Sequence, residues 1–182
     1  MITHFYPKIN PFILIAGTCI IILFSWFASI KHKRYHGIAR FFSFESIFIL
    51  VLLNQNIWFI NIFSTLQIIS WFLFLLSVYI AVAGFLLLMN FGKPDSNLEN
   101  TSLLVKEGLY KYIRHPLYLA LFLFGTGVMI KNPRLVQFIF GVVNLVALYI
   151  TARMEEKEMI ARFGKEYQEY IKETKMFIPF IL

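Results

Sequence analysis

Apolar residues run through this chain in long stretches, and polar residues interrupt them at only a few places. From residue 11 to residue 30 there is no charged side chain, and between Phe41 and Phe91 the sole charge is Glu45. Roughly 20 apolar residues cross a bilayer core. The first stretch is therefore one span, and the second suits two, residues 44–59 and 66–91, parted by Asn54, Gln55, Asn56 and Asn61. Residues 117–130 and 135–152 make two more, joined by Lys131, Asn132, Pro133 and Arg134, where Asn-Pro reads as a tight turn. The expected fold class is an all-α integral membrane protein with about five transmembrane helices, the last two forming a hairpin. Past residue 152 the pattern changes: Ile160, Phe163, Tyr167, Tyr170 and Ile171 recur at helical spacing among lysines and glutamates. Residues 153–175 are thus expected as a C-terminal amphipathic helix, on the membrane surface or against the third loop, with Gly164 a local loosening point.

Composition agrees: 59% of the 182 residues are hydrophobic and 15% charged, far from the balance of a soluble domain. The single cysteine, Cys19, excludes an internal disulfide. A formal charge of +7 raises the question of nucleic acid, but the basic residues are interspersed with apolar spans instead of gathered on one soluble face, so no nucleic-acid partner is expected. Membrane topology accounts for them. With five spans, Lys31, Lys33, Arg34 and Arg40 share one side with Lys93, Lys106, Lys111 and Arg114, and with Arg153, Lys157, Arg162, Lys165, Lys172 and Lys175. Only Lys8, Lys131 and Arg134 fall on the other. The positive-inside rule then predicts an external N-terminus, with the third loop and the tail in the cytoplasm. The first span has its charge after the apolar run and no A-x-A pattern, so it is expected as a retained anchor. We read residues 1–182 as one domain, three spans in residues 1–91 and a ligand-binding region in residues 92–182.

This topology brings two polar clusters to one face. In YKYIRHPLYLA, Pro116 suits the first helical turn, where its missing N–H costs nothing. The unpaired N–H groups of that turn favour an anion beside Arg114 and His115. The other cluster, Arg153, Glu155, Glu156 and Glu158, continues from the last span, and a carboxylate there suits an ammonium group. Together they fit a zwitterion with an apolar remainder, such as a cofactor containing an amino acid. Singly, each residue has a plain reading as a topological anchor, a solvated helix face or an aromatic belt; their convergence argues for a site.

LLVKEGLYKYIRHPLYLALFLFGTGVMIKNP, followed by RMEEKEMIARFGKEYQEY and a closing Ile-Pro, resembles the C-terminal half of the isoprenylcysteine carboxyl methyltransferase family across residues 102–179. The elements stand in the family's order: Gly108 with Tyr110, Arg-His-Pro-x-Tyr, the Asn-Pro turn, the paired glutamates, and Phe-Gly-x-Glu-Tyr. The resemblance implies a membrane methyltransferase that uses S-adenosylmethionine, leaves S-adenosylhomocysteine, and accepts a lipophilic acceptor from the bilayer. Carried over by motif, Ser102, Leu103, Leu104 and Val105 would line the cofactor, Tyr110 would contact it, and His115, Pro116, Leu117 and Tyr118 would complete that wall. Glu155 would hold the ammonium of its methionine moiety. Thr151 stands where some relatives have an arginine that contacts substrate, leaving Arg153 as the nearest substitute. Arg114 or Arg153 would orient a carboxylate acceptor, and His115 or Glu156 would serve as base for a thiol or amine. Short relatives occur in prokaryotes, so a prokaryotic plasma membrane is the expected location. Membrane sterol reductases, which use NADPH, share a similar His-Pro region, though not the Glu-Glu and Phe-Gly-x-Glu-Tyr tail. A non-enzymatic transport or scaffold protein is the other alternative, one in which Glu45 would matter most.

Overall fold

The computed structural model describes residues 9–93 and 101–178; Lys8 and Pro179 lie outside the described residues. Among these, six α-helices follow one another: α1 Pro11–Ala28, α2 His36–Asn54, α3 Thr65–Gly92, α4 Pro116–Ile130, α5 Leu135–Phe163 and α6 Lys165–Glu173. Helices α1, α2, α3 and α5 are long and apolar enough to cross a membrane, whereas α4 is an apolar helix of only 15 residues. At 1.5 Å per residue α4 is roughly 22 Å long, short of the ~30 Å hydrocarbon core. The protein is an all-α membrane protein, with four full-length spans and one short helix paired against α3 and α5.

Local signals explain several boundaries. At α1, Asn10 Oδ1 accepts from Phe12 N at 2.9 Å and Pro11 occupies the first turn. Helix α2 runs eight residues earlier at its start and five earlier at its end than its expected span. Its start holds His36 and Arg40 in the interior, where they are buried by partners on other elements. Its end, Asn54, is fully buried: Nδ2 donates to Val128 O at 2.8 Å. These polar residues thus serve tertiary contacts inside the helix, where the sequence pattern reads helix termini.

The main pairings are α2 with α5 and α3 with α4, while α1 packs on α2. Small residues let the backbones approach. A Cβ on Gly125 would stand 2.4 Å from Asn144 Nδ2, and one on Gly127 would stand 2.8 Å from the Phe74 ring. Buried polar side chains are matched across helices, as Ser43 Oγ donates to Asn144 Oδ1 at 2.6 Å and Ser77 Oγ to Ala120 O at 2.8 Å. Leu50, Phe74 and Val128 form one apolar core. Lys131, an outer-side charge in the sequence reading, is not solvated. It donates to Gln67 Oε1 at 2.7 Å and lies 4.2 Å from the Trp71 ring, and burial lowers its pKa. Glu45, at the tenth position of α2, accepts from Thr18 Oγ1 at 2.7 Å and so faces α1.

The tail is two helices. Helix α5 continues without a break to Phe163, and Gly164, at φ 59°, turns the chain into α6. Nothing would meet a Cβ there, so the backbone angle alone calls for glycine. Helix α6 lies against the loop before α4, with Tyr170 Oη donating to Tyr110 O. Beyond it, residues 174–177 run beside residues 112–115: Arg114 N donates to Lys175 O at 2.8 Å, Lys175 N to Tyr112 O at 3.0 Å and His115 N to Met176 O at 3.1 Å.

Candidate active site

Pro116 stands in the first turn of α4 and His115 caps it, with φ −124° and ψ 61°. Just before them, the chain makes a short turn, Gly108–Lys111, whose Gly108 has φ 56° and so close an approach to α3 that a Cβ would stand 2.6 Å from Leu87 Cδ1. These two turns place Tyr110, Arg114 and His115 at one end of the bundle, opposite the C-terminal part of α5. Between them lies a cavity of about 290 Å³.

Leu104, Val105, Tyr110, Arg114, His115, Pro116, Leu117, Tyr118 and Glu155 line this cavity. Ser102, Leu103, Arg153 and Glu156 do not. Ser102 is exposed and its Oγ donates to Lys93 O at 2.8 Å, while Leu103 N donates to Gly92 O at 3.1 Å, so these two tie the loop to the end of α3. Arg153 is 57% exposed and 3.5 Å from Glu156. Glu156 is 3% exposed and is turned to Arg114, whose Nε lies 2.7 Å from Glu156 Oε1. The same guanidinium donates through Nη1 to Ile171 O and Thr174 O. Thr151 is fully buried and its hydroxyl donates to Ala147 O at 2.7 Å, so it does not reach the cavity.

Neighbouring glutamates thus point apart, as residues about 100° apart on a helix must. Glu155 Oε2 is 3.5 Å from His115 Nδ1, and Glu156 Oε1 is 3.5 Å from His115 Nε2. Both distances exceed a well-formed hydrogen bond, and His115 Nε2 has no hydrogen-bond partner among the described residues. Burial opposes charge on this imidazole, but the two carboxylates outweigh it and raise its pKa. Tyr118 stacks on the ring at 5.3 Å. Burial, then the charge of Glu155 and Tyr170, pushes the Tyr110 phenol far above its ordinary range; burial and the glutamates do the same to Tyr167. Both stay protonated at neutral pH, and both residues line the cavity. The result is a carboxylate, an imidazole, two guanidinium groups and neutral phenols set among largely apolar walls.

Several lining residues were missed by the sequence reading: Phe24 of α1, Arg40 of α2, Phe85 and Leu88 of α3, Met159 of α5, and Tyr167 and Tyr170 of α6. The tyrosines had a signal in the helical stripe of the tail. Arg40 had none, since it reads as one more cytoplasmic loop charge. A second ionic group ties the first loop to α5: His36 Nδ1 lies 2.8 Å from Glu158 Oε1, and Arg34 Nε 3.0 Å from Glu158 Oε2. No group of three or more histidine, cysteine or acidic side chains suited to a metal occurs among the described residues.

The family model described as a protein of unknown function (DUF1295) matches residues 22–174. Among curated proteins, the chain is similar to the protein-S-isoprenylcysteine O-methyltransferase of Saccharomyces cerevisiae, 42% identical over 86 residues, or 46% of this chain and 35% of the yeast protein. The methanethiol S-methyltransferase of Crocosphaera subtropica is 33% identical over 72 residues, 40% of this chain and 28% of its own. The human protein-S-isoprenylcysteine O-methyltransferase is 38% identical over 89 residues, 46% of this chain and 30% of its own. The matched stretches cover about a third of the length of these curated relatives. No solved structure matches the chain.

Proposed function

The chain belongs to the DUF1295 family, and from that premise we propose that it is an integral-membrane methyltransferase that takes S-adenosylmethionine, leaves S-adenosylhomocysteine and methylates a lipophilic acceptor. One observation carries the proposal: Glu155, a carboxylate 21% exposed, opens into a cavity whose other walls are mostly apolar or aromatic. Such a set suits the cofactor's parts. Glu155 would hold the ammonium group, while the unbonded Nε2 of His115 and the first-turn N–H groups of α4 suit its carboxylate. Leu104, Val105, Tyr110 and Tyr118 offer apolar and stacking surface to the nucleoside. When bound, S-adenosylmethionine supplies an electrophilic sulfonium methyl. The protein's part is positioning: it holds the acceptor near the methyl group, in line with the sulfur, and excludes water. A carboxylate acceptor is already ionised at neutral pH and needs no base. The names of the relatives give two acceptor chemistries, an O-methylated isoprenylcysteine and an S-methylated thiol, and both stay open here.

Calorimetry on the detergent-purified protein tests this reading. Saturable binding of S-adenosylhomocysteine is expected, with none of NADPH; NADPH binding without S-adenosylhomocysteine would point to the reductase instead. For orientation we propose the site and tail in the cytoplasm and the N-terminus outside, on the strength of the uneven lysine and arginine distribution. On a Cys19→Ser background, a cysteine at Glu169 should react only with cytoplasmic reagent and one at Asn132 only with external reagent. Labelling of both from the same side would sink this topology.

A further inference from the structure

Glu158 stands one turn beyond Glu155 on α5 and is held from the N-terminal half of the chain. Arg34, in the turn before α2, donates through Nε to Glu158 Oε2 at 3.0 Å, and Nδ1 of His36, the first residue of α2, lies 2.8 Å from Glu158 Oε1. Both carboxylate oxygens are engaged, one by each residue. The His36 side chain is fully buried and that of Arg34 is 14% exposed, whereas Glu158 keeps 32%. An isolated surface pair contributes little. Two donors closing on one carboxylate, one of them fully buried, hold it in a single place. None of the three residues lines the cavity, so their effect on a ligand must pass through another residue.

The geometry of α5 identifies that residue. At about 100° per residue, Asn144, Glu155 and Glu158 fall within roughly 60° of one another around the helix. Asn144 Oδ1 accepts from Ser43 Oγ at 2.6 Å, so this stripe is tied to the α2 side twice, by Ser43 and by His36 with Arg34. Glu155 lies between the two ties along the helix. The Glu158 tie is the nearer one, three residues from Glu155 against eleven for Asn144. It also sits at the cavity end of α2, where Arg40, one turn after His36, lines the same space as Glu155. The reach of the Glu155 carboxylate is set first by the rotation of the helix that carries it, and any rotation that released Glu158 would turn Glu155 as well.

We infer that Arg34, His36 and Glu158 are positioning residues, which lock the rotation of α5 that aims Glu155 into the cavity and thereby set the affinity for the amino-acid end of the ligand. This rests on the methyltransferase reading and extends the site's support to the turn between α1 and α2. A cluster that only held the fold together would weaken every part of the site alike. One that aims Glu155 acts on the ammonium group and leaves the nucleoside's place against Leu104, Val105, Tyr110 and Tyr118 unchanged.

Calorimetry with two ligands on the detergent-purified protein separates these cases. S-adenosylhomocysteine carries the amino-acid end; methylthioadenosine keeps the nucleoside and the thioether sulfur without it. Glu158→Gln should weaken S-adenosylhomocysteine roughly three- to thirtyfold, the range for residues that act on a site without contacting its ligand, and leave methylthioadenosine within about twofold of the wild type. Arg34→Gln, which leaves His36 on Glu158, should show the same selectivity with a smaller factor, and it serves if Glu158→Gln fails to fold. Arg34→Lys, which keeps the charge, should recover part of the loss. Equal weakening of both ligands overturns the proposal, because the cluster then only supports the fold. S-adenosylhomocysteine affinity unchanged in both variants also overturns it. So does wild-type protein that binds S-adenosylhomocysteine but no methylthioadenosine at millimolar concentration, since the two ends would then not be held separately. Wild-type protein that binds neither ligand would instead remove the methyltransferase reading itself.

Discussion

Replacing Glu155 by alanine is expected to abolish measurable S-adenosylhomocysteine binding while the protein remains folded. The carboxylate is the acidic group that lines the cavity, so its loss leaves the ligand's ammonium without a counter-charge in a largely apolar site. Losing one member of a buried charge pair costs about 2–5 kcal/mol, or roughly thirty- to several thousandfold in affinity. Folding should survive because Glu155 keeps 21% of its side chain exposed and meets His115 only at 3.5 Å. Glu155→Gln, which preserves shape and removes charge, should fail in the same direction. Unchanged affinity in both variants would show that the ammonium is held elsewhere and would remove the site.

The next residue along should behave in the opposite way. Glu156→Ala and Arg114→Met are each expected to destabilise the protein by about 3–5 kcal/mol, because each strands a buried charge whose partner is gone. The pair is 2.7 Å apart, with 8% and 4% of its side chains exposed, and Arg114 also holds Ile171 O and Thr174 O. Its loss should free residues 174–177 from the site's floor, making them an early target of limited proteolysis. Replacing both by methionine should cost less than either single change, since no charge is then left alone. Unfolding in denaturing detergent checks this: single variants within about 0.5 kcal/mol of the wild type would mean the pair is an ordinary surface contact.

This division of labour between neighbours could not be read from Glu-Glu in the sequence. Either glutamate satisfied the expectation of a carboxylate facing the polar turn, and helical geometry only says that they diverge. Which one reaches the cavity depends on the rotation of α5 against α2 and α4, a property of packing. The same holds for Arg114, which the sequence offered as a substrate cation and which the fold commits largely to the returning C-terminal segment. Contacts between residues 112–115 and residues 174–177 are about sixty positions apart in the chain, and no local pattern encodes them.

Arg40 makes the point from the other direction. By composition it is one of several basic residues after the first span, and the positive-inside rule absorbs it without remainder. Only when α2 is seen to begin at His36 does Arg40 move from a loop to a helix face, one turn before Phe44 of the same helix, and only the packing of α1 and the residue after it supplies Phe24 and Ser29.

What the sequence by itself determined is what depends on short-range chemistry and on solvent. Long uncharged runs have no stable place in water, which sets the membrane class. Proline after Arg-His opens a helix because it needs no N–H donor there, whereas Gly164 reads in the sequence only as a loosening point, and its positive φ between two separate helices is a finding of the structure. The tertiary structure decided which polar groups share a space: it placed Glu155, His115, Tyr110 and Arg40 around one cavity and withdrew Glu156 and Arg153 from it. Those outcomes depend on helix rotation, on close approach at small residues and on burial of specific pairs. Each is a sum over contacts distant in sequence, so the same local pattern is compatible with more than one arrangement until the helices pack.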